Sequence, residues 1–256
     1  MLEIRNLCAG YPGHPVLENL SLSVPDGAVT VIAGPNGCGK STLLKTLAGI
    51  LPATGSVTLD DCELLTLDRR ERARNVAFLP QNRQVPEITV KNLVLHGRFP
   101  YLSYPRRYRQ EDLRMAEAAM DQMGVAELAD RSLASLSGGQ RQKVYIAMAL
   151  AQDTPVVLMD EPNAFLDIAH QLQLMAQAKA LAEAGKTVVL VLHDLSLALE
   201  YADTLVVLYE GTCLFQGTPE ETFQSGCLDK AFGVEMRRFS TEDGWKYHYG
   251  KHIPQV

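Results

Sequence analysis

Apolar residues gather along this chain in short runs bounded by turn formers: Ala28 to Ala33, Val76 to Leu79, Val156 to Met159, Thr187 to Leu192 and Thr204 to Tyr209. Both faces of these runs are apolar and helical patterns lie between them, which predicts buried strands of a largely parallel sheet. Leu43 to Ile50 suits the helix after the first run, a helix that begins near Lys40. Gln171 to Ala184 carries Leu172, Met175, Ala176 and Lys179 at helical spacing, with Gly185 as its stop. Residues from about 90 to 153 are rich in Arg, Ala and Met without strand-like alternation, which predicts a helical subdomain inserted into one domain spanning 1–256. Gly211 to Pro219 reads as a hairpin with a following turn. Phe239 to Val256 shows no period and reads as a solvated tail. The expected fold is α/β: a mixed, largely parallel sheet, an antiparallel N-terminal β region and the inserted helices.

Composition narrows the picture. With 256 residues, 46% of them hydrophobic, the chain can bury one substantial core. A balance of 24 Lys+Arg against 30 Asp+Glu gives a net charge of -6, which excludes a surface that grips nucleic acid all over. Cys8, Cys38, Cys62, Cys213 and Cys227 are scattered, as free thiols in a reducing compartment would be, and form none of the close pairs of structural zinc or redox motifs. The start, Met-Leu-Glu-Ile-Arg-Asn, lacks the basic-then-apolar pattern of a signal peptide. No apolar run approaches the roughly 20 residues that span a bilayer. The expectation is a cytoplasmic chain, peripheral to any membrane it serves.

The strongest chemistry lies in Gly34-Pro35-Asn36-Gly37-Cys38-Gly39-Lys40-Ser41-Thr42, between a strand-like and a helix-like run. That context is what a phosphate-binding P-loop requires, and it points to ATP with Mg²⁺. Glycines let backbone N–H groups curl round phosphates, Lys40 can reach the β and γ phosphates, and the Ser41 hydroxyl can ligate Mg²⁺. Val156 to Pro162 is an apolar strand ending in the acids Asp160 and Glu161. Like charges side by side must be solvated or hold a cation. Asp160 is assigned to Mg²⁺, through water, and Glu161 to polarising the attacking water; taken alone, an exposed acidic turn explains the pair equally well.

His193 follows another apolar run, at the strand end where open α/β sheets bind ligands, and is read as a γ-phosphate contact. Gln81, after Leu79-Pro80, offers an amide to Mg²⁺ or the water. Leu136-Ser137-Gly138-Gly139-Gln140 precedes apolar residues at helical spacing, so Ser137 reads as an N-cap. Two glycines there expose N–H groups at a positive helix end, a second anion cradle; an ordinary cap is the simpler alternative, but a cap needs no second glycine. His248 and His252 lie four apart as helical metal ligands do, although Gly250 favours the solvated tail.

With these motifs in this order, the chain resembles the nucleotide-binding subunit of ABC transporters, itself a P-loop NTPase, over nearly its whole length. GPNGCGKST, Gln81, LSGGQ, VVLMDEP and His193 carry the likeness. The resemblance implies that Tyr11 stacks on adenine, that Leu166-Asp167 ends the D-loop, and that two subunits sandwich two ATP molecules. The P-loop of one would then face the Ser137–Gln140 cradle of the other. One cradle of each kind per chain suits such a homodimer. Asn163-Ala164-Phe165 departs from the family's usual Thr or Ser and small residues, and Phe165 is bulky for a subunit contact.

The segment from Leu95 to Asp112, LHGRFPYLSYPRRYRQED, is similar to that of importers for ferric siderophores, haem and cobalamin. It implies separate transmembrane permease subunits, an extracytoplasmic binding protein, and a place on the cytoplasmic face of the plasma membrane. In the same stretch Arg98, Arg106, Arg107 and Arg109 alternate with Tyr101, Tyr104 and Tyr108, which supports a rival: a soluble ATPase acting on nucleic acid or ribosomes. The acidic net charge counts against it, and no nucleic-acid partner is expected. A third class, a module that binds ATP as a switch without turnover, conflicts with the presence of Glu161 and His193.

Overall fold

The computed structural model describes residues 1–81, 85–163, 166–242 and 244–251. The strands, in chain order, are β1 (Leu2–Tyr11), β2 (His14–Val24), β3 (Val29–Ala33), β4 (Ala53–Leu59), β5 (Cys62–Glu63), β6 (Val76–Leu79), β7 (Val156–Asp160), β8 (Thr187–Val191), β9 (Thr204–Tyr209), β10 (Thr212–Gly217), β11 (Val234–Thr241) and β12 (Gly244–Lys251). The helices are α1 (Lys40–Leu47), α2 (Arg69–Asn75), α3 (Val90–His96), α4 (Gln110–Gln122), α5 (Gly138–Ala151), α6 (Ile168–Glu183), α7 (Leu195–Tyr201), α8 (Pro219–Gln224) and α9 (Cys227–Phe232).

Two sheets organise them. The central sheet has the order β10-β9-β3-β8-β7-β6, parallel from β9 to β6, with β10 antiparallel at its edge. The N-terminal residues form an antiparallel sheet of order β2-β1-β4-β5. The fold is that of a P-loop NTPase, mixed but largely parallel, as the runs of apolar residues predict.

Strand alternation divides the interior into two cores. Ile32, Leu158, Val189, Val191, Val206 and Leu208 face one way and pack with Leu43, Leu44 and Leu47 of α1 and with residues of the N-terminal sheet such as Leu7, Leu17 and Leu20. Val31, Val157, Met159, Leu190 and Val207 face the other way, toward α5, α6 and α7. Because each strand is covered on both faces, its sequence is apolar throughout. The helix α1 therefore lies between the two sheets, and its first turn is fixed at the carboxyl end of β3.

Residues 90–153 hold α3, α4 and α5 with short 3₁₀ turns and contain no strand. A buried ion pair ties the three helices together. Arg98 Nε donates to Asp112 Oδ1 at 3.1 Å, Arg98 Nη1 donates to the Ala151 carbonyl at 2.9 Å, and the guanidinium lies 4.0 Å from the Tyr101 ring centroid. Gly97 lies against the Met148 carbonyl, too close for any Cβ, so α3 and α5 meet backbone to backbone.

The first helix begins at Lys40, where it is expected, because the loop's backbone turns into the helix at Gly39. Two expectations are corrected. The helix expected from Gln171 begins at Ile168, since the Asp167 side chain accepts from His170 N at 2.9 Å and caps it there. The C-terminal stretch is no solvated tail over its described part: β12 pairs residue for residue with β11. Tyr247 is buried, its ring 5.5 Å from that of Phe223, and Arg238 lies between Phe223 and Trp245 while pairing with Glu220. His248 is on this strand, its ring beside that of Phe239, so strand geometry replaces the helical spacing that a His248–His252 metal pair needs. His252 itself, like Ala164 and Phe165, lies outside the described residues.

Candidate active site

The loop between β3 and α1 is shaped by what its glycines permit. Gly39 has φ 107°, a conformation that favours glycine, and Gly34 lies so close to the Leu208 carbonyl and Cys38 Sγ that a Cβ could not fit. Lys40, only 6% exposed, donates from Nζ to the carbonyls of Gly34 at 2.7 Å and Pro35 at 2.9 Å. Its ammonium is thus drawn back over the loop that precedes it. Cys38 and Thr42 are buried beneath the loop, Asn36 and Gly37 form its exposed tip, and Ser41 stands at the start of α1.

Ser41 Oγ donates to Asp160 Oδ1 at 3.0 Å, linking α1 to the end of β7. Asp160 is 2% exposed. Burial pushes its carboxyl above the ordinary aspartate range, and the neighbouring Glu161 pushes the same way; the Ser41 hydrogen bond and the charges of Lys45 and Lys40 oppose this. Glu161 adopts φ 47°, a left-handed conformation costly for a residue with a Cβ, which ends the strand abruptly. The two acids accordingly face different neighbours. Glu161 Oε1 is 2.6 Å from His193 Nε2, and Glu161 Oε2 accepts from the Gln81 amide.

Six of the residues singled out in the sequence are therefore brought together. Lys40, Ser41, Asp160, Glu161, His193 and Gln81 gather at the carboxyl ends of β3, β7, β8 and β6, from loops that the chain separates widely. Gln81, expected at Mg²⁺ or the water, and His193, expected at the γ-phosphate, both contact the Glu161 carboxylate. Tyr11, 44% exposed, stands at the end of β1 and accepts a long hydrogen bond of 3.4 Å from Lys45 Nζ. No motif marks Lys45, though it follows Ser41 by four residues and so shares its helix face.

Ser137, Gly138, Gly139, Gln140 and Asp167 form a second cluster, on α5 and at the start of α6. Ser137 caps α5 in a reciprocal pair: Gln140 N donates to Ser137 Oγ at 3.2 Å and Ser137 N to Gln140 Oε1 at 3.1 Å. Hydrogen bonds from His170 hold the Asp167 carboxyl below the usual range.

The donors around Ser41 suit Mg²⁺. A hydroxyl and one carboxylate are hard oxygen ligands, and this ion completes its shell with phosphate oxygens and water. Among the described residues no cluster of three or more His, Cys, Asp or Glu could cage a metal by itself. All five cysteines are free thiols. No helix among the described residues is long and apolar enough to cross a membrane. Of the arginines in the 95–112 stretch, Arg98 is buried in its ion pair, and Arg106 lies over the Phe99 ring at 4.8 Å.

Comparison with known proteins places this geometry. The profile of the ABC transporter family matches residues 17–164. The achromobactin transport ATP-binding protein CbrD of Dickeya dadantii (strain 3937) is 44% identical over 236 residues, covering 91% of this chain and 88% of that protein. The ferric enterobactin transport ATP-binding protein FepC of Escherichia coli (strain K12) is likewise 44% identical over 236 residues, covering 91% of this chain and 87% of that protein. Among solved structures, a putative metal-chelate type ABC transporter in an inward-facing conformation superposes with a TM-score of 0.84 at 27% identity, covering 99% of this chain and 98% of that one. A dimeric bacterial ABC transporter cassette gives a TM-score of 0.74 at 29% identity, covering 86% and 99%. The chain belongs to the ABC transporter family, as one of its ATPase subunits.

Proposed function

We propose that this chain powers an importer of iron chelates, either ferric siderophores or haem, or of the related cargo cobalamin. It works as a homodimer on the cytoplasmic face of the membrane, beneath permease subunits that receive cargo from an extracytoplasmic binding protein. The names of the relatives support the cargo class, and the dimeric cassette supports self-pairing. Residues 90–153 act as a helical subdomain that moves on the rest.

The observation that carries the catalytic reading is the Glu161 carboxylate held between Gln81 and His193, beside Asp160 and Ser41. Lys40 is poised to exchange the carbonyls of Gly34 and Pro35 for the β and γ phosphates, which backbone N–H groups of 36–41 surround. Ser41 and Asp160 would hold Mg²⁺, Asp160 through water. When bound, the metal supplies positive charge against the phosphate oxygens. Glu161 orients the attacking water and accepts its proton, while Gln81 and His193 fix the carboxylate's direction. Tyr11 stacks on adenine. Ser137 to Gln140 and Asp167 close over the nucleotide of the partner subunit, so turnover requires the pair.

The test is Glu161→Gln. Loss of the base is expected to lower ATP hydrolysis about 10²- to 10⁴-fold, with labelled ATP still retained in magnesium buffer. Turnover equal to that of the unaltered protein would remove Glu161 from this role.

A further inference from the structure

The second glycine of the Ser137–Gln140 cradle has a neighbour that no motif describes. A Cβ built on Gly139 would lie 2.5 Å from both Cδ2 and Nε2 of His170, and its three nearest atoms all belong to that ring. A side chain at this position would thus point into its own subunit, against α6, and not out of the cradle. Gly138, by contrast, has open space where its Cβ would stand.

His170 is itself held. Its Nδ1 lies 2.7 Å from Asp167 Oδ1, and the same oxygen accepts from His170 N at 2.9 Å. A carboxylate can only accept, so Nδ1 carries the proton and Nε2 is the edge turned toward Gly139. Asp167, at the end of the D-loop stretch, therefore fixes the ring that backs the first turn of α5. Leu166, Gln142, Lys143 and Ile146 line the small crevice around this contact.

We infer that His170 is a positioning residue that joins the Asp167 end of the D-loop to the Gly138–Gly139 cradle within one subunit. Its ring fixes where the first N–H groups of α5 stand, and Gly139 is glycine because that ring occupies the place of a Cβ. The inference rests on the proposed composite site, in which this cradle meets the partner's ATP. Rotation of Asp167 at the dimer contact would then be felt directly by the cradle.

The test uses the full chain carrying Glu161→Gln, so that bound ATP persists, and reads ATP-driven dimer formation by light scattering. Adding His170→Ala is expected to raise the ATP concentration for half-maximal dimerisation about tenfold, as a contact coupling of ordinary size would. Binding of labelled ATP to the monomer at low protein concentration stays unchanged, a split that general loss of structure would not produce. Gly139→Ala alone is expected to abolish dimerisation, and Gly139→Ala with His170→Ala to recover part of it, because the added methyl enters the space the ring vacates. Dimerisation indifferent to His170→Ala, or no recovery in the double variant, overturns the inference. If the Glu161→Gln parent itself fails to dimerise with ATP, the composite-site reading falls and the inference with it.

Discussion

Nε2 of His193 lies 2.6 Å from Oε1 of Glu161, so the residues that follow β8 and β7 are joined through a carboxylate. The second oxygen takes the Gln81 amide from beyond β6. Three neighbouring strand ends thus converge on one acid. Removing His193 leaves Glu161 in place but held on one side only. His193→Ala is expected to lower kcat for ATP hydrolysis about 10- to 100-fold while nucleotide affinity changes by less than about twofold. Steady-state rates and a nucleotide titration separate these. A loss confined to affinity would place His193 on the nucleotide instead.

Asp160 carries a cost when no metal is present. Burial holds its carboxyl above the ordinary aspartate range, so the folded protein keeps this proton to higher pH than the unfolded chain does. Between the ordinary and the raised pKa the folded state binds more protons, and stability falls as pH rises through that window. Asp160→Asn keeps an acceptor for Ser41 but removes the charge. In chelator at pH 7 this variant is expected to melt at higher temperature than the unaltered protein, with the gain shrinking as pH drops toward the ordinary range. Its magnesium-dependent ATPase is expected to disappear. Thermal melts across pH check the first outcome; a lower melting temperature at pH 7 contradicts it.

Arg98 and Asp112 form an ion pair whose side chains are 7% and 6% exposed. Changing one partner leaves a buried charge uncompensated, which costs about 3–5 kcal/mol. Arg98→Met and Asp112→Asn are each expected to lower stability to urea by an amount of that order, and the double variant Arg98→Met with Asp112→Asn to lose much less than the sum of the two. Denaturation midpoints decide this. Equal loss in the double variant and in the sum of the singles would mean that the two side chains act independently.

Much of the architecture was legible because it is written in local pattern. The runs at β3, β6, β7, β8 and β9 are apolar on both faces, and only a sheet covered on both sides explains that. The P-loop could be read because a tight turn into a helix restricts which residues fit at Gly34, Gly39 and Lys40. The C-terminal hairpin could not. One of its faces carries Met236, Arg238, Trp245 and Tyr247, where a cation between aromatic rings takes the place of an apolar alternation.

The sequence by itself determined which chemical groups are present and near which strand ends: an ammonium, a hydroxyl, two acids, an imidazole and an amide. Only the tertiary structure decided how they pair. It set Gln81 and His193 on Glu161, buried Arg98 among helices where a basic surface stripe was the alternative, and put His170 against Gly139. The physical reason is range. Turn and strand preferences act between neighbours a few residues apart, whereas these contacts join residues brought close only when β6, β7 and β8 align and α5 and α6 pack on them.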